Sequence, residues 1–127
     1  MALIIVGFGG AFGAVARYLA TDWVRHLAGD TFPWGTLAVN VVGSFAMGFL
    51  LVWLQSFAPS VQARQFVGIG FLGSFTTFST FSYEAVALAR TGDIWRAGGY
   101  TAGSFVLGIL GVLAGAALAS ALAPTSG

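Results

Sequence analysis

The chain has 127 residues, of which 57% are hydrophobic and only 7% charged. A soluble domain carries about 25% charged residues, so the shell that keeps a protein in water is missing. A net charge of +1 excludes electrostatic nucleic-acid binding, and zero cysteines exclude disulfides, thiolate catalysis and cysteine-based zinc sites.

The few charges mark the boundaries of the membrane spans. No Asp, Glu, Lys or Arg occurs in residues 1–16, 31–63, 65–83 or 97–127. A helix needs about 20 mostly apolar residues to cross ~30 Å of hydrocarbon, so each window holds one span. The expected architecture is an all-α integral membrane protein, a single domain over residues 1–127. Its four transmembrane helices are placed at roughly 2–20, 34–56, 65–89 and 99–122.

No basic residue precedes the first apolar run, so Met1–Gly10 reads as part of a membrane helix and not as a signal peptide. This span carries Gly9 and Gly13 and extends past Arg17. The connection 21–33 holds Asp22, Arg25, His26 and Asp30, and Pro33 punctuates the start of the second span. The second span contains Asn40, Ser44 and Gly48, and the following 57–64 connection contains Pro59. The connection 90–97 contains Gly92 and Asp93, and Pro124 follows the fourth span. On that last span Gly99, Gly103, Gly108, Gly111 and Gly115 recur every three to five residues, with Ser104 next to Gly103. Small residues at such spacings let helix backbones approach closely in membranes. Four helices leave little room inside a bundle, so a transport pathway calls for an oligomer. The loops on the side of the termini carry only Arg64, whereas the others carry Arg25, Arg90 and Arg96, a bias toward both termini outside the cytoplasm.

Lipid offers no hydrogen bonds, so polar side chains at membrane depth need partners or a wet path. Asn40 reads either as interhelical glue or as a donor lining a pore. Arg17 either snorkels to the interface beside Asp22 or faces a polar vestibule that attracts anions. The third span is the most informative, because Thr76, Thr77, Ser79, Thr80 and Ser82 crowd its middle. Gly70 and Gly73 precede this run of β-branched and hydroxyl residues, a poor helix composition that predicts a break. A break would release backbone carbonyls that can coordinate a cation. Phe71, Phe75, Phe78 and Phe81 share one face of a continuous helix, which reads either as packing or as a path whose positive ring edges meet an anion. Glu84 is expected to be interfacial and solvated, with a pore mouth as the alternative. No other carboxylate lies in a span, which argues against proton-coupled exchange. No residue pattern suggests an enzyme, and His26 has no partners spaced for a metal.

These residues resemble those of the bacterial CrcB/Fluc family of fluoride channels. Gly9-Gly-Ala-Phe-Gly-Ala-Val-Ala-Arg-Tyr18 resembles the first-helix motif and Gly35-Thr-Leu-Ala-Val-Asn-Val-Val-Gly-Ser-Phe45 the second. Gly73-Ser-Phe-Thr-Thr-Phe-Ser-Thr-Phe81 resembles the third-helix signature, the most specific of the three. The resemblance implies an antiparallel, dual-topology homodimer in the bacterial inner membrane with two pores, each exporting cytoplasmic fluoride passively. It implies that Asn40, Phe78 and Phe81 line the fluoride pathway, and that Thr77, Thr80, Tyr100 and Ser104 supply polar groups along it. Gly73 and Thr76 match residues whose backbone carbonyls, from both chains, hold a structural sodium ion (Na+). Arg17 matches an arginine of structural or electrostatic role, and Gly108 stands where the family can carry a serine. Dual topology goes with balanced loop charges, from which three arginines against one depart.

Three readings follow. A passive fluoride channel leads, its ion set by the resemblance alone. A small multidrug exporter has similar helices but needs a glutamate within the first span, and residues 2–16 contain none. A non-transporting assembly subunit would account for the glycines but not for the hydroxyl and phenylalanine segment.

Overall fold

A computed structural model describes residues 1–57 and 60–124, all of whose regular structure is helical. Helix α1 spans Ala2–Ala28, α2 spans Trp34–Phe57, α3 spans residues 61–75, α4 spans Phe78–Arg90 and α5 spans Ile94–Leu122. Of these, α1, α2 and α5 are each long and apolar enough to cross a membrane. The third expected span is divided near its middle, as its composition predicts, into α3 and α4, separated only by Thr76 and Thr77.

The ends follow from local chemistry. Helix α1 runs eight residues beyond the expected end near 20, because its charges pair along the helix surface. Asp22 accepts from Arg25 at 2.5 Å and lies 3.4 Å from His26 Nε2, spacings of three and four residues. It stops at Gly29, whose φ of 87° suits glycine, with Arg25 and His26 in the last turn facing the negative end of the helix dipole. Helix α5 starts at Ile94, earlier than expected, because the Asp93 carboxylate accepts from Arg96 N–H at 3.1 Å and caps it. Between α4 and α5 only residues 91–93 remain, with Gly92 at φ 86°. Ser60 caps α3 by accepting from Ala63 N–H at 3.1 Å. The turn expected at Pro59 lies outside the described residues. Within α3, Arg64–Leu72 is a nine-residue π-helical stretch, a widened geometry usually confined to single turns near functional sites.

Glycines decide the packing. Helix α2 packs most extensively on α5, and α1 on α3. A Cβ on Gly48 would collide with the Val112 backbone, and one on Gly115 with the Phe45 carbonyl. On α1, Gly9 and Gly13 lie against the Phe66 and Phe71 carbonyls in the same way. These are the expected small-residue faces, used for backbone-to-backbone contact. At the other end of the α5 stripe, Gly99 and Gly103 face open space. The core is thin: Val39, Leu54, Leu72, Phe81, Ala97, Tyr100 and Ala119 are its buried apolar residues. Large apolar side chains such as Leu3, Phe8, Phe12 and Ile109 face outward, as lipid requires.

Candidate functional site

The break between α3 and α4 is two residues long. Thr76 (φ −86°, ψ 157°) and Thr77 (φ −148°, ψ 114°) are both extended. Several polar groups at the break find specific partners. The Asn40 side chain, on α2, donates from Nδ2 to the Thr77 carbonyl at 3.0 Å and accepts from Thr77 N–H at 2.8 Å. Thr77 Oγ1 accepts from Thr80 N–H at 3.2 Å, capping α4, and donates to Thr80 Oγ1 at 3.0 Å. Thr76 Oγ1 donates back to the Leu72 carbonyl at 3.2 Å. Arg17 Nε donates to the Ser74 carbonyl at 3.0 Å, so a cation meets the negative end of α3.

Two cavities flank the break, and Thr77 lines both. One, of about 310 Å³, is bordered by Arg17, Tyr18, Asp22, Arg25, Thr36 and Thr80. The other, of about 270 Å³, is bordered by Asn40, Ser44, Met47, Thr76 and Phe78. Asn40 thus keeps one Nδ2 hydrogen beyond its Thr77 contacts on a cavity wall.

The aromatic stripe is two pairs, not one face. Phe71 and Phe75 stack on α3 with centroids 5.9 Å apart, whereas Phe78 and Phe81 lie on α4 with centroids 5.7 Å apart. The extended residues between Phe75 and Phe78 destroy the helical register that would have aligned them. Phe81 is 7% exposed, stacked on Tyr100 and meeting Phe105 edge-on, while Phe78 is 71% exposed.

Glu84 is half-buried, with both carboxylate oxygens hydrogen-bonded. Its two oxygens accept from Thr36 Oγ1 at 2.8 Å and from the Tyr100 hydroxyl at 2.9 Å. Thr36 and Tyr100 are 2% and 1% exposed, so the carboxylate is drawn inward by two buried hydroxyls. On its outer side Glu84 borders a third cavity, of about 510 Å³, with Asp30, Asp93 and Arg96.

A family model described as CrcB-like protein, Camphor Resistance (CrcB), matches residues 4–116. The chain belongs to the CrcB family. Among the curated relatives of this CrcB chain is a Rhizobium johnstonii protein, 48% identical over 121 residues covering 94% of this chain and 97% of the relative. A Hydrogenovibrio crunogenus protein is 50% identical over 96 residues, 75% of this chain and 73% of the relative. One from Agrobacterium fabrum is 46% identical over 117 residues, 91% and 94% of the two chains. All three relatives carry the name fluoride-specific ion channel FluC.

In this CrcB chain the expected site residues fall into two groups. Asn40, Gly73, Thr76, Thr77, Phe78 and Thr80 gather at the break, with Arg17 on its far side. Phe81 and Tyr100 belong to the α4–α5 contact beside Glu84. Ser104 lies one turn beyond Tyr100, its buried hydroxyl without a hydrogen-bond partner among the described residues. Thr36, the buried donor to Glu84, is not among the expected site residues. Its signal is a hydroxyl one turn before Asn40 in a mostly apolar window.

Proposed function

We propose that this chain is a passive, fluoride-selective channel of the bacterial inner membrane that exports cytoplasmic fluoride. The observation that carries the reading is the broken third span, which brings hydroxyls, an amide and phenylalanine rings together where a lipid-embedded helix should be uniformly apolar. A small anion gives up a tight hydration shell only to close donors. The free Nδ2 hydrogen of Asn40, the hydroxyls of Thr80 and Ser104, and the ring edges of Phe78 and Phe81 are of that kind. None carries a full positive charge that would trap the ion.

The functional unit is an antiparallel homodimer with two pores. Three features support it: a phenylalanine 71% exposed beside the cavity of Asn40, the open face at Gly99 and Gly103, and the carbonyls left over at the break. Gly73 and Thr76 lose the intrahelical donors that Thr77 N–H and Thr80 N–H would supply, since both donate to side chains. Carbonyl oxygens suit a hard cation, and two from each of two chains give the set that a single chain lacks. These residues fit a structural sodium ion, whose chemistry there is to neutralise and tie together the broken helices of both copies. Against the exporter reading, the first acid of α1 is Asp22, which is occupied by Arg25 and His26. The subunit reading gives the polar break no purpose.

The test is fluoride efflux from liposomes carrying the purified protein, followed with a fluoride electrode after valinomycin, with chloride as the paired control. Rapid fluoride release, negligible chloride release and no need for a proton gradient are expected. No release from verified dimers would overturn the channel reading.

A further inference from the structure

The break is held open by side chains that take donors away from carbonyls. In a continuous α-helix Thr77 N–H would bond the Gly73 carbonyl, and Thr80 N–H the Thr76 carbonyl. Here Asn40 Oδ1 takes the first donor at 2.8 Å and Thr77 Oγ1 takes the second at 3.2 Å. A carbonyl engaged by a well-aligned N–H offers less to a metal than a free one, so the state of these two N–H groups governs the two oxygens.

We propose that Asn40 is a positioning residue for the cation site: its amide holds Thr77 N–H so that the Gly73 carbonyl stays available to the metal. The Thr77 side chain does the same for the Thr76 carbonyl. The inference rests on the sodium reading above and adds to it a cause for the site, located on another helix. The second Asn40 bond, to the Thr77 carbonyl at 3.0 Å, fixes which way the amide faces, so that its oxygen and not its nitrogen meets Thr77 N–H. Without the clamp, α3 gains by closing one more hydrogen bond onto Gly73, and the cation loses a ligand. Arg17 does not compete, since its Nε serves the Ser74 carbonyl at 3.0 Å. Because Thr77 lines both cavities, one clamp ties the pore wall to the cation site.

The experiment is a titration of sodium chloride against the unfolding midpoint of the full-length protein in detergent, at constant ionic strength with potassium replacing sodium. The wild-type midpoint should rise with sodium. Asn40→Leu, close in volume but with no acceptor, should need roughly ten- to hundredfold more sodium for the same rise, the usual cost of losing an outer-shell support. Asn40→Asp keeps an acceptor for Thr77 N–H but sets its second oxygen against the Thr77 carbonyl, so it should still respond, at more sodium than the wild type and less than Asn40→Leu. An unshifted response in Asn40→Leu, or a lost one in Asn40→Asp, overturns the proposal. If Asn40→Leu does not fold, Thr77→Val takes its place, since it returns Thr80 N–H to the Thr76 carbonyl. The same weakening is expected, and an unshifted response is again fatal. A wild type blind to sodium would remove the sodium reading together with this inference, whereas a responsive wild type with unshifted variants removes this inference alone.

Discussion

Tyr100 lies flat on Phe81, with ring centroids 5.1 Å apart and planes 17° apart, and its hydroxyl donates to Glu84 Oε2 at 2.9 Å. One ring of the phenylalanine pair is therefore clamped between helices while its neighbour Phe78 is 71% exposed. The two rings have different mechanical standing even though both are assigned to the same path.

Replacing each with isoleucine separates these roles. Phe81→Ile removes the stack and the edge contact to Phe105 and should lower the unfolding free energy by on the order of 1–2 kcal/mol. Phe78→Ile removes mainly the tilted contact with Phe81 and should leave the chain's own fold intact. Both should abolish or greatly slow fluoride efflux from liposomes. Wild-type flux in both would take the aromatic rings out of the conduction path.

The carboxylate under this stack is equally testable. Glu84→Leu leaves the buried Thr36 and Tyr100 hydroxyls without their acceptor, at about 1–3 kcal/mol for each. Thr36→Val keeps the shape and removes one donor, so it should cost less than the loss of both contacts. Chemical unfolding in a mild detergent reads the ranking, and a smaller loss in Glu84→Leu than in Thr36→Val would mean that the carboxylate is not what holds α2 and α5 to α4.

Arg17 is the third case. Its Nε donates to the Ser74 carbonyl at 3.0 Å and also lines the cavity shared with Thr77 and Thr80. Arg17→Met should therefore destabilise by about 1.5–3 kcal/mol, the range for a hydrogen bond to a charged group. Arg17→Lys, a point charge without the planar fork, should recover part of that loss. Equal stability of Arg17→Met and wild type would reduce the contact to a surface one.

The breaking of the third span was legible because glycine and hydroxyl residues in an apolar window are a local, compositional signal. Gly73, Thr76 and Thr77 could be singled out on that ground, and so could the glycine faces that α1, α2 and α5 use. What was not legible depends on pairing across the chain. Nothing local to Glu84 says that Thr36, 48 positions earlier, and Tyr100, 16 positions later, supply its two donors. The two readings of Arg17 omitted a backbone carbonyl as partner, because a freed carbonyl exists only once the helix has broken. Asn40 ties α2 to the break through Thr77, the pairing expected of interhelical glue, and it also borders a cavity. The first helix ran long because a charged segment looks like a loop until its charges pair at helical spacing.

The glycines of α5 give the last prediction. Gly115 lies where any Cβ would drive into the Phe45 carbonyl and come 2.8 Å from Phe49 N, both backbone atoms that cannot swing aside. Gly115→Ala should thus push α2 and α5 apart and cost about 1–3 kcal/mol, the range for overpacking. Gly103, three turns earlier on the same helix, has nothing within 4 Å of the added carbon. Gly103→Ala should leave the fold of the chain unchanged, or gain up to about 1 kcal/mol from the better helix former. Unfolding of the two variants side by side separates packing within the chain from packing between copies. A large loss in Gly103→Ala, matched by a lower yield of cross-linked dimer, would show that a second copy, and not lipid, covers that end of α5.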